Sequence, residues 1–333
     1  MPRPPKRVTI ADVAAKAEVS LSTVSRVLNG NVTVDPAMAE RVRAAAAELD
    51  YSASPLARSL VLGRTQTIAV VVPDLGNPTF QEILRGLSRA AGTAGYHVLV
   101  ADSAESVDEE RVLALTTRRR TDGVVLCAPR MDDDALAASL RELSPVVVVN
   151  RDVDGAPVVG ADYRSAFAEI LTHLHGLGHR RYVFLSGNPR SASNAARVDA
   201  ITAFAGAHAE VEITQLPCGV DVDSGARVAP EVRASGATAV LAYNDLVAMG
   251  VMGVLRRDGV RIPEDLSVTG FDDIPFSRWT SPTLTTAAVP AEDLGARAWE
   301  AMQDLLTGAP AEPAAHWLRP VVALRESTGP APS

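Results

Sequence analysis

Two groups of residues in this 333-residue chain carry side chains suited to recognition rather than to bond-making. The first is Leu21, Ser22 and Arg26, at the start and one turn along a short helical pattern. On a helix laid in a DNA major groove those positions reach base edges. The planar guanidinium of Arg26 can donate twice to guanine O6 and N7, worth about 1–3 kcal/mol of discrimination. Ser22 can pair with several bases, and Leu21 offers apolar contact to a thymine methyl. The second group closes a series of strand-like apolar runs: Asp74 and Asn77, Asn150 and Arg151, Asn244 and Asp245, Asp272 and Asp273. Ligands of open parallel sheets bind beyond the carboxyl ends of the strands, so these pairs are where a small molecule would be held. Sequence signatures of an enzyme are absent: the chain contains no GxxxxGK[ST] loop, GxSxG elbow or HExxH pair. His173 and His175 are two apart and do not share a helical face, and with His179 beside a His-Arg-Arg turn they are expected to be a surface cluster, not a metal site. Cys127 and Cys218 lack zinc-site spacing and are expected to be reduced and structural.

The elements that must position these residues have their own signals. Thr9 with Asp12 forms a capping box ahead of an Ala/Val-rich run to Ala17, Ser20 can cap a second helix running to about Asn29, and Asp35-Pro36 supplies a cap and first-turn proline for a third. Val13, Ala14, Val24, Val27, Leu28, Val42 and Leu49 then form one small core. The connection Ala17-Glu18-Val19 is short enough to force a tight crossing, which is the helix-turn-helix arrangement, with the second helix as reader. Charge agrees: residues 1–64 hold nine Lys/Arg against six Asp/Glu, a net of +3, whereas the remainder is −11. A cationic head on an acidic body is what phosphate contact requires. From Thr67 the pattern becomes TIAVVVP, YHVLVAD, DGVVLCAP, PVVVVN, RYVFLSG, ATAVLAY and LSVTGFD, continuous apolar runs separated by amphipathic stretches, as in repeated βα units with buried parallel strands. No run approaches about 18 uncharged apolar residues, and MPRPPKRVTI does not read as a signal peptide, so a cytoplasmic location without a membrane partner is expected.

The segment VTIADVAAKAEVSLSTVSRVLNG, residues 8–30, closely resembles the DNA-reading head of the lactose/galactose repressor (LacI/GalR) family. The same family order continues through AAAAELDYSASPLARSL, VVPDLGNPTF, LGHRRYVFLSG, AYNDLVAMGV, IPEDLSVTGFDDIP, SPTLTTAAVP and VVALREST, so the resemblance spans nearly all of residues 8–328. It implies an α/β fold class: a small all-α helix-turn-helix head at 1–52, a hinge helix and linker at 53–65, and a two-lobed, periplasmic-binding-protein-like effector and dimerisation domain with parallel sheets at 66–328. Lobe 1 would comprise about 66–162 and 290–320 and lobe 2 about 163–289 and 321–328, with crossings near 162, 290 and 320, followed by a disordered tail at 329–333. The resemblance puts base contacts at Leu21, Ser22 and Arg26, and Thr9, Ser20, Thr23, Ser25 and Asn29 fit phosphate contacts, although Thr9 and Ser20 are equally explained as caps. In the hinge stretch Ser54–Leu60, Leu60 would wedge between central base pairs from the minor groove and Arg58 would contact phosphate.

For the effector, the resemblance nominates Arg197, Asn244 and Asp272 from the second lobe with Asn77, Phe80 and Asn150 from the first, and Arg151 and Ser193 beside them. A neutral polyol needs planar polar groups that each engage neighbouring hydroxyls and one apolar wall against its C–H face, and this set provides both. Val220 stands where many members have a stacking aromatic, which favours a sugar or small polyol over a purine. Two further departures are Ala200-Ile201, where a Gly-aromatic pair is usual, and the crossing Ala161-Asp162-Tyr163. The resulting expectation is a homodimeric, sugar-responsive repressor of palindromic double-stranded operator DNA, with no cofactor, metal or catalytic residue. A co-repressor-type regulator answering to a non-sugar metabolite, and a sugar-binding protein without DNA function, are the alternatives. The absence of a heptad tail after LLTGAPAEP points to a dimer and not a tetramer.

Overall fold

The computed structural model describes residues 8–28, 34–51, 63–309 and 315–332. It divides into two compact units, Met1–Gln66 and Thr67–Ser333.

In the first unit, helices Ile10–Ala17 (α1), Leu21–Leu28 (α2) and Pro36–Glu48 (α3) enclose one apolar cluster. Val13, Ala14, Ala17, Val24, Val42, Ala45 and Ala46 are its buried members, with Val27, Leu28 and Leu49 packed against it. The ends are fixed locally. The Asp12 carboxylate accepts from the Thr9 backbone N–H at 2.8 Å and from its hydroxyl at 2.7 Å. Ser20 Oγ accepts from the Thr23 N–H at 3.1 Å, and Asp35 accepts from the N–H groups of Ala37 and Met38 with Pro36 following. Glu18 ends α1 in the left-handed region, φ 54°, turning the chain within two residues into α2.

The second unit begins with Thr67–Val72 (β1), Pro78–Thr93 (α4), His97–Asp102 (β2), Val107–Arg118 (α5), Gly123–Cys127 (β3), Asp133–Leu143 (α6), Val146–Val149 (β4) and Val158–Ala161 (β5). Tyr163–Gly176 (α7), Arg181–Ser186 (β6), Ala192–Ala207 (α8), Glu212–Pro217 (β7), Val222–Ala234 (α9), Ala239–Ala242 (β8), Asp245–Arg257 (α10) and Ser267–Thr269 (β9) form the next stretch. Thr286–Ala288 (β10), Ala291–Thr307 (α11), His316–Leu318 (β11) and Val321–Ala323 (β12) complete it. One sheet has the order β11-β5-β4-β3-β1-β2 and another the order β7-β6-β8-β9. Every pairing in both is parallel, and β10 pairs antiparallel with β12. These are two α/β lobes, and the chain crosses between them after β5, after β10 and after β11.

The apolar runs lie where periodicity places them: β1, β3, β4 and β8 are buried almost throughout. YHVLVAD differs. Its strand, β2, is a sheet edge, with Leu99 38% and Val100 40% exposed. Glycine sets the approach of one helix pair in each lobe. A Cβ on Gly86 of α4 would stand 2.0 Å from Glu292 O of α11, and one on Gly250 of α10 would stand 2.0 Å from Val222 O of α9.

Two expectations are corrected here. The tail at 329–332 is docked, not disordered: the Gly329 N–H donates to Ser267 Oγ at 3.1 Å, and the Ala331 N–H donates to Leu177 O at 2.9 Å. His179 is fully buried instead of belonging to a surface cluster. Its ring nitrogens meet Thr238 Oγ1 at 2.9 Å, Ser267 Oγ at 3.0 Å and Gly329 O at 3.0 Å, and burial lowers its pKa. The imidazole thus ties the tail to β9, a role that residue spacing alone does not reveal.

Candidate functional site

The C-terminal ends of the parallel strands in the two lobes face a common cleft, and a narrow cavity, partly open to solvent, lies within it. Helix α4 starts at its wall. Asn77 caps that helix by accepting from the Thr79 N–H at 2.9 Å, Pro78 occupies the first turn, and Thr79 and Phe80 follow. Asn77, Thr79 and Phe80 all line the cavity. Asn150, left-handed at φ 59°, lines it from the end of β4, with its Oδ1 accepting from the Ala161 N–H at 2.9 Å. In both asparagines the amide nitrogen is the group left for a ligand.

Opposite them stands Arg197 of α8, only 1% exposed. Its Cζ sits 4.2 Å from the ring centroid of Phe271, 4.6 Å from that of Tyr243 and 4.8 Å from that of Tyr163. Aromatic faces stabilise a desolvated guanidinium. Nη1 donates to Ser193 O at 2.7 Å, but Nε is buried without a hydrogen-bond partner, the one such side-chain atom among the described residues. An unpaired buried donor costs about 1–3 kcal/mol. Ser193 Oγ, Ser191 Oγ and Tyr243 Oη lie within 2.9–3.1 Å of one another beside it.

Asp272 lines the same cavity with φ 106°, a strained backbone conformation for a residue with a side chain. Its Oδ2 accepts from the Thr79 hydroxyl at 2.9 Å, a hydrogen bond between lobes. Burial pushes the carboxyl up to about 6 against the opposing pull of Arg197 and of the Thr79 hydrogen bond. Behind it Asp245, wholly buried, accepts from Thr286 Oγ1 at 2.6 Å and the Ile274 N–H at 2.8 Å, and its pKa is well above the usual carboxylate range because of burial and then of Asp272. The chamber thus pairs a partly unsatisfied cation with a strained carboxyl. Its lining is of the kind that suits hydroxyl groups, and no nucleophile–base pair stands in it among the described residues.

Of the eight effector residues expected, Asn77, Phe80, Asn150, Ser193, Arg197 and Asp272 come together around this cavity. Two do not. Asn244 caps α10, its Oδ1 accepting from the Val247 N–H at 2.9 Å while Nδ2 donates to Val220 O at 2.8 Å. Arg151 is bound to Pro129 O, Met131 O and the Asp133 carboxylate, and faces a neighbouring cavity. Asp273 is likewise structural, accepting from Ser277, Arg278 and Arg325.

The sequence reading missed Thr79, Glu105, Arg130, Tyr163 and Tyr243, all of which line the cavity. Buried Arg130 forms a bidentate pair with Glu105, both bonds 2.8 Å, and Glu105 also accepts from Asn188 Nδ2 at 2.7 Å, a second hydrogen bond between lobes. Arg130 and Tyr243 each sit at the end of an apolar run, so the strand-end rule already pointed at them.

In the first unit Leu21, Ser22 and Arg26 are exposed on α2, Leu21 to 52%. Arg26 has no partner among the described residues. Ser20, Ser22 and Thr23 share hydroxyl hydrogen bonds of 2.8 and 2.9 Å at the helix start. Thr9 is exposed and Ser25 half-buried. Asn29, Arg58 and Leu60 lie outside the described residues.

Comparison with known proteins follows the same division. Residues 9–54 match the model for bacterial regulatory proteins of the lacI family, and residues 171–328 match a periplasmic binding protein-like domain. The HTH-type transcriptional repressor CytR of Escherichia coli (strain K12) is 31% identical over 307 residues, 90% of this chain and 90% of that protein. The chain belongs to the lacI family. Like that relative it is a DNA-binding transcriptional regulator and not an enzyme. The lac repressor dimer bound to operator and the anti-inducer ONPF superposes with a TM-score of 0.87 at 25% identity, covering 97% of this chain and all of that one. The CelR–cellobiose complex gives 0.70 at 30% identity, covering 96% and 100%. As a lacI-family fold, the molecule combines a helix-turn-helix with two α/β lobes. Among the described residues no helix is long and apolar enough to cross a membrane.

Proposed function

We propose that this protein is a cytoplasmic, homodimeric repressor that holds a palindromic operator and releases it when a sugar fills the interlobe cleft. The juxtaposition of buried Arg197, whose Nε has no hydrogen-bond partner, with Asp272 in the lining of one cavity carries the reading. A sugar hydroxyl both accepts and donates, so one ring can satisfy Arg197 while replacing the Thr79 hydroxyl at Asp272. The amide nitrogens of Asn77 and Asn150 serve further hydroxyls, and Phe80 faces the C–H surface. Because the Thr79–Asp272 hydrogen bond runs between lobes, replacing it changes lobe closure, and the effect is transmitted along α4, whose first turn carries Asn77, Thr79 and Phe80. An effector that favours one closure by a few kcal/mol is sufficient to control DNA affinity.

On DNA, α2 presents Leu21, Ser22 and Arg26 to base edges, and Thr9, Ser20, Thr23, Ser25 and Asn29 serve phosphates. Leu60 wedges into the operator centre from the minor groove, and Arg58 contacts phosphate nearby. The exposed Leu99 and Val100 on edge strand β2, with Phe276 at 55% and Trp279 at 86%, are apolar surface that a second copy would cover.

The test is fluorescence anisotropy of the full chain on palindromic DNA from its own promoter region, repeated with a panel of mono- and disaccharides. Selective binding abolished by one sugar is expected. Binding that appears only on adding a ligand would make the protein a co-repressor-type regulator, and no selective binding by the folded protein would remove the DNA-reading claim.

A further inference from the structure

We infer that a second small-molecule site lies beside the cavity that holds Asp272, and that it takes an aromatic amino acid in its zwitterionic form, whether or not the central cavity takes a sugar. The space measures about 520 Å³, within the range of small-molecule pockets, and is open on one side. The crossing segment Ala161–Tyr163 lines it, and its walls come from both lobes. Helix α8 of the second lobe contributes Ala192, Ala195, Ala196 and Asp199, whose spacing of three, four and seven places them on one helical face. Asp272, Arg197 and Phe80 line the central cavity and not this one.

Three features of the lining point to the occupant. Trp317 of β11 is in register with Gly160, and a Cβ at that glycine would stand 2.2 Å from Trp317 Cζ3, so the indole rests directly on bare backbone and stays 46% exposed. An exposed indole and three alanines in one lining give the apolar surfaces that a flat aryl ring needs. The charges are the second feature. Arg164 is a cation and Asp152 and Asp199 are anions, all exposed, and none of the three has a partner among the described residues. Open charges of both signs in one lining are the complement of an ammonium and a carboxylate on a single ligand, whereas a neutral or singly charged ligand leaves at least one sign unused. The third feature is Tyr163, only 8% exposed, whose hydroxyl has no hydrogen-bond partner among the described residues. An α-amino acid carries both charges on one carbon, with its ring one bond further out to meet the indole. Trp317 and Asp152 belong to the first lobe and Arg164 and Asp199 to the second, so an occupant held by all four ties the lobes together.

Isothermal calorimetry on the full chain tests this with L-phenylalanine, L-tryptophan, phenethylamine, 3-phenylpropionate and L-alanine. At least one of the two aromatic amino acids is expected to bind about tenfold or more tightly than each of the three analogues, which lack the acid, the amine or the ring. Arg164→Ala and Asp199→Ala, both at exposed positions, should each weaken that binding by about tenfold, and Trp317→Ala should reduce it to the L-alanine level. Ala195→Phe, which fills the space from an exposed helix position, should do the same without touching the sheet. Asp272→Asn, confined to the central cavity, should leave amino-acid affinity within about twofold. No binding of either aromatic amino acid, or affinity unchanged in Trp317→Ala and Ala195→Phe, would overturn the site. Equal binding of phenethylamine or 3-phenylpropionate would overturn its assignment to a zwitterion. A loss in Asp272→Asn as large as that in Arg164→Ala would move the ligand into the central cavity and overturn the second site.

Discussion

Asp272 gives the sharpest test of how the cleft works, because burial holds its carboxyl at about 6, inside an accessible pH range. The folded group keeps its proton above the pH at which the unfolded chain, with an ordinary aspartate, has lost it. Between about pH 4 and 6 the folded state therefore binds more protons, and the stability contributed by this group falls as pH rises through that window. The shift from 3.8 to about 6 corresponds to about 3 kcal/mol at about 1.4 kcal/mol per unit. Asp272→Asn removes the charge but keeps an acceptor for the Thr79 hydroxyl, so at pH 7.5 the ligand-free variant should be more stable than the parent by up to that amount. The difference should shrink toward pH 4, which thermal denaturation of the two proteins at several pH values measures. Effector binding runs the other way. Sugar hydroxyls donate to the carboxylate, so affinity should fall about tenfold between pH 7 and pH 5 as the ionised fraction drops, and Asp272→Asn should bind weakly with a flat profile over that range. Calorimetry of effector binding from pH 5 to 7.5 checks this. A parent protein with a flat affinity profile, or an Asn variant of undiminished affinity, would refute the assignment of Asp272 as the acceptor of the ligand.

Other consequences are as direct. Arg26→Ala should weaken operator binding by about 1–3 kcal/mol and relax preference at one base position, read by anisotropy on operators substituted base by base. Leu60→Ala should weaken operator binding and leave effector affinity unchanged; unchanged operator affinity would remove the wedge role. Gly86→Ala forces a methyl against Glu292 O and should cost about 1–3 kcal/mol, seen as a lower Tm, because neither helix backbone can give way. Asn188→Ala deletes the 2.7 Å hydrogen bond to Glu105 that spans the lobes, and should raise the effector dissociation rate by about fivefold in stopped flow, as expected for about 1 kcal/mol.

The fold was legible in the sequence wherever one local rule sufficed. Capping residues and a small apolar set delimited α1, α2 and α3, and uninterrupted Val/Ile/Leu runs marked the strands buried on both faces. The strands without such runs were not legible: β7, EITQLP, is a half-polar edge, and β10 to β12 are three residues each, held by partners far along the chain. The docked tail and buried His179 belong to the same class, since the His179–Gly329 hydrogen bond joins residues 150 apart.

The cleft shows more specifically where sequence reasoning stops. The strand-end rule selects adjacent residues, and adjacent residues on extended backbone point to opposite sides. At the end of β8, Tyr243 lines the cavity while its neighbour Asn244, at φ −150° and ψ 178°, turns back to cap α10. After β9, Asp272 faces the cavity and Asp273 is held by Arg278 and Arg325. After β4, Asn150 faces the cavity and Arg151 braces the loop after β3. In each pair one member lines the cavity and the other holds the turn that aims it. Chemical type does not tell them apart, because the same amides, carboxylates and guanidinium groups that suit hydroxyls also suit helix ends and loop carbonyls. The choice depends on the backbone angle at a single residue, and that angle is set by contacts such as Asp272 N–H to Ala287 O and Asn150 N–H to Val159 O, which only the assembled lobes provide. Mutational scans of this cleft should therefore show alternation: loss of effector response with retained stability at Tyr243, Asp272 and Asn150, and loss of stability at Asn244, Asp273 and Arg151.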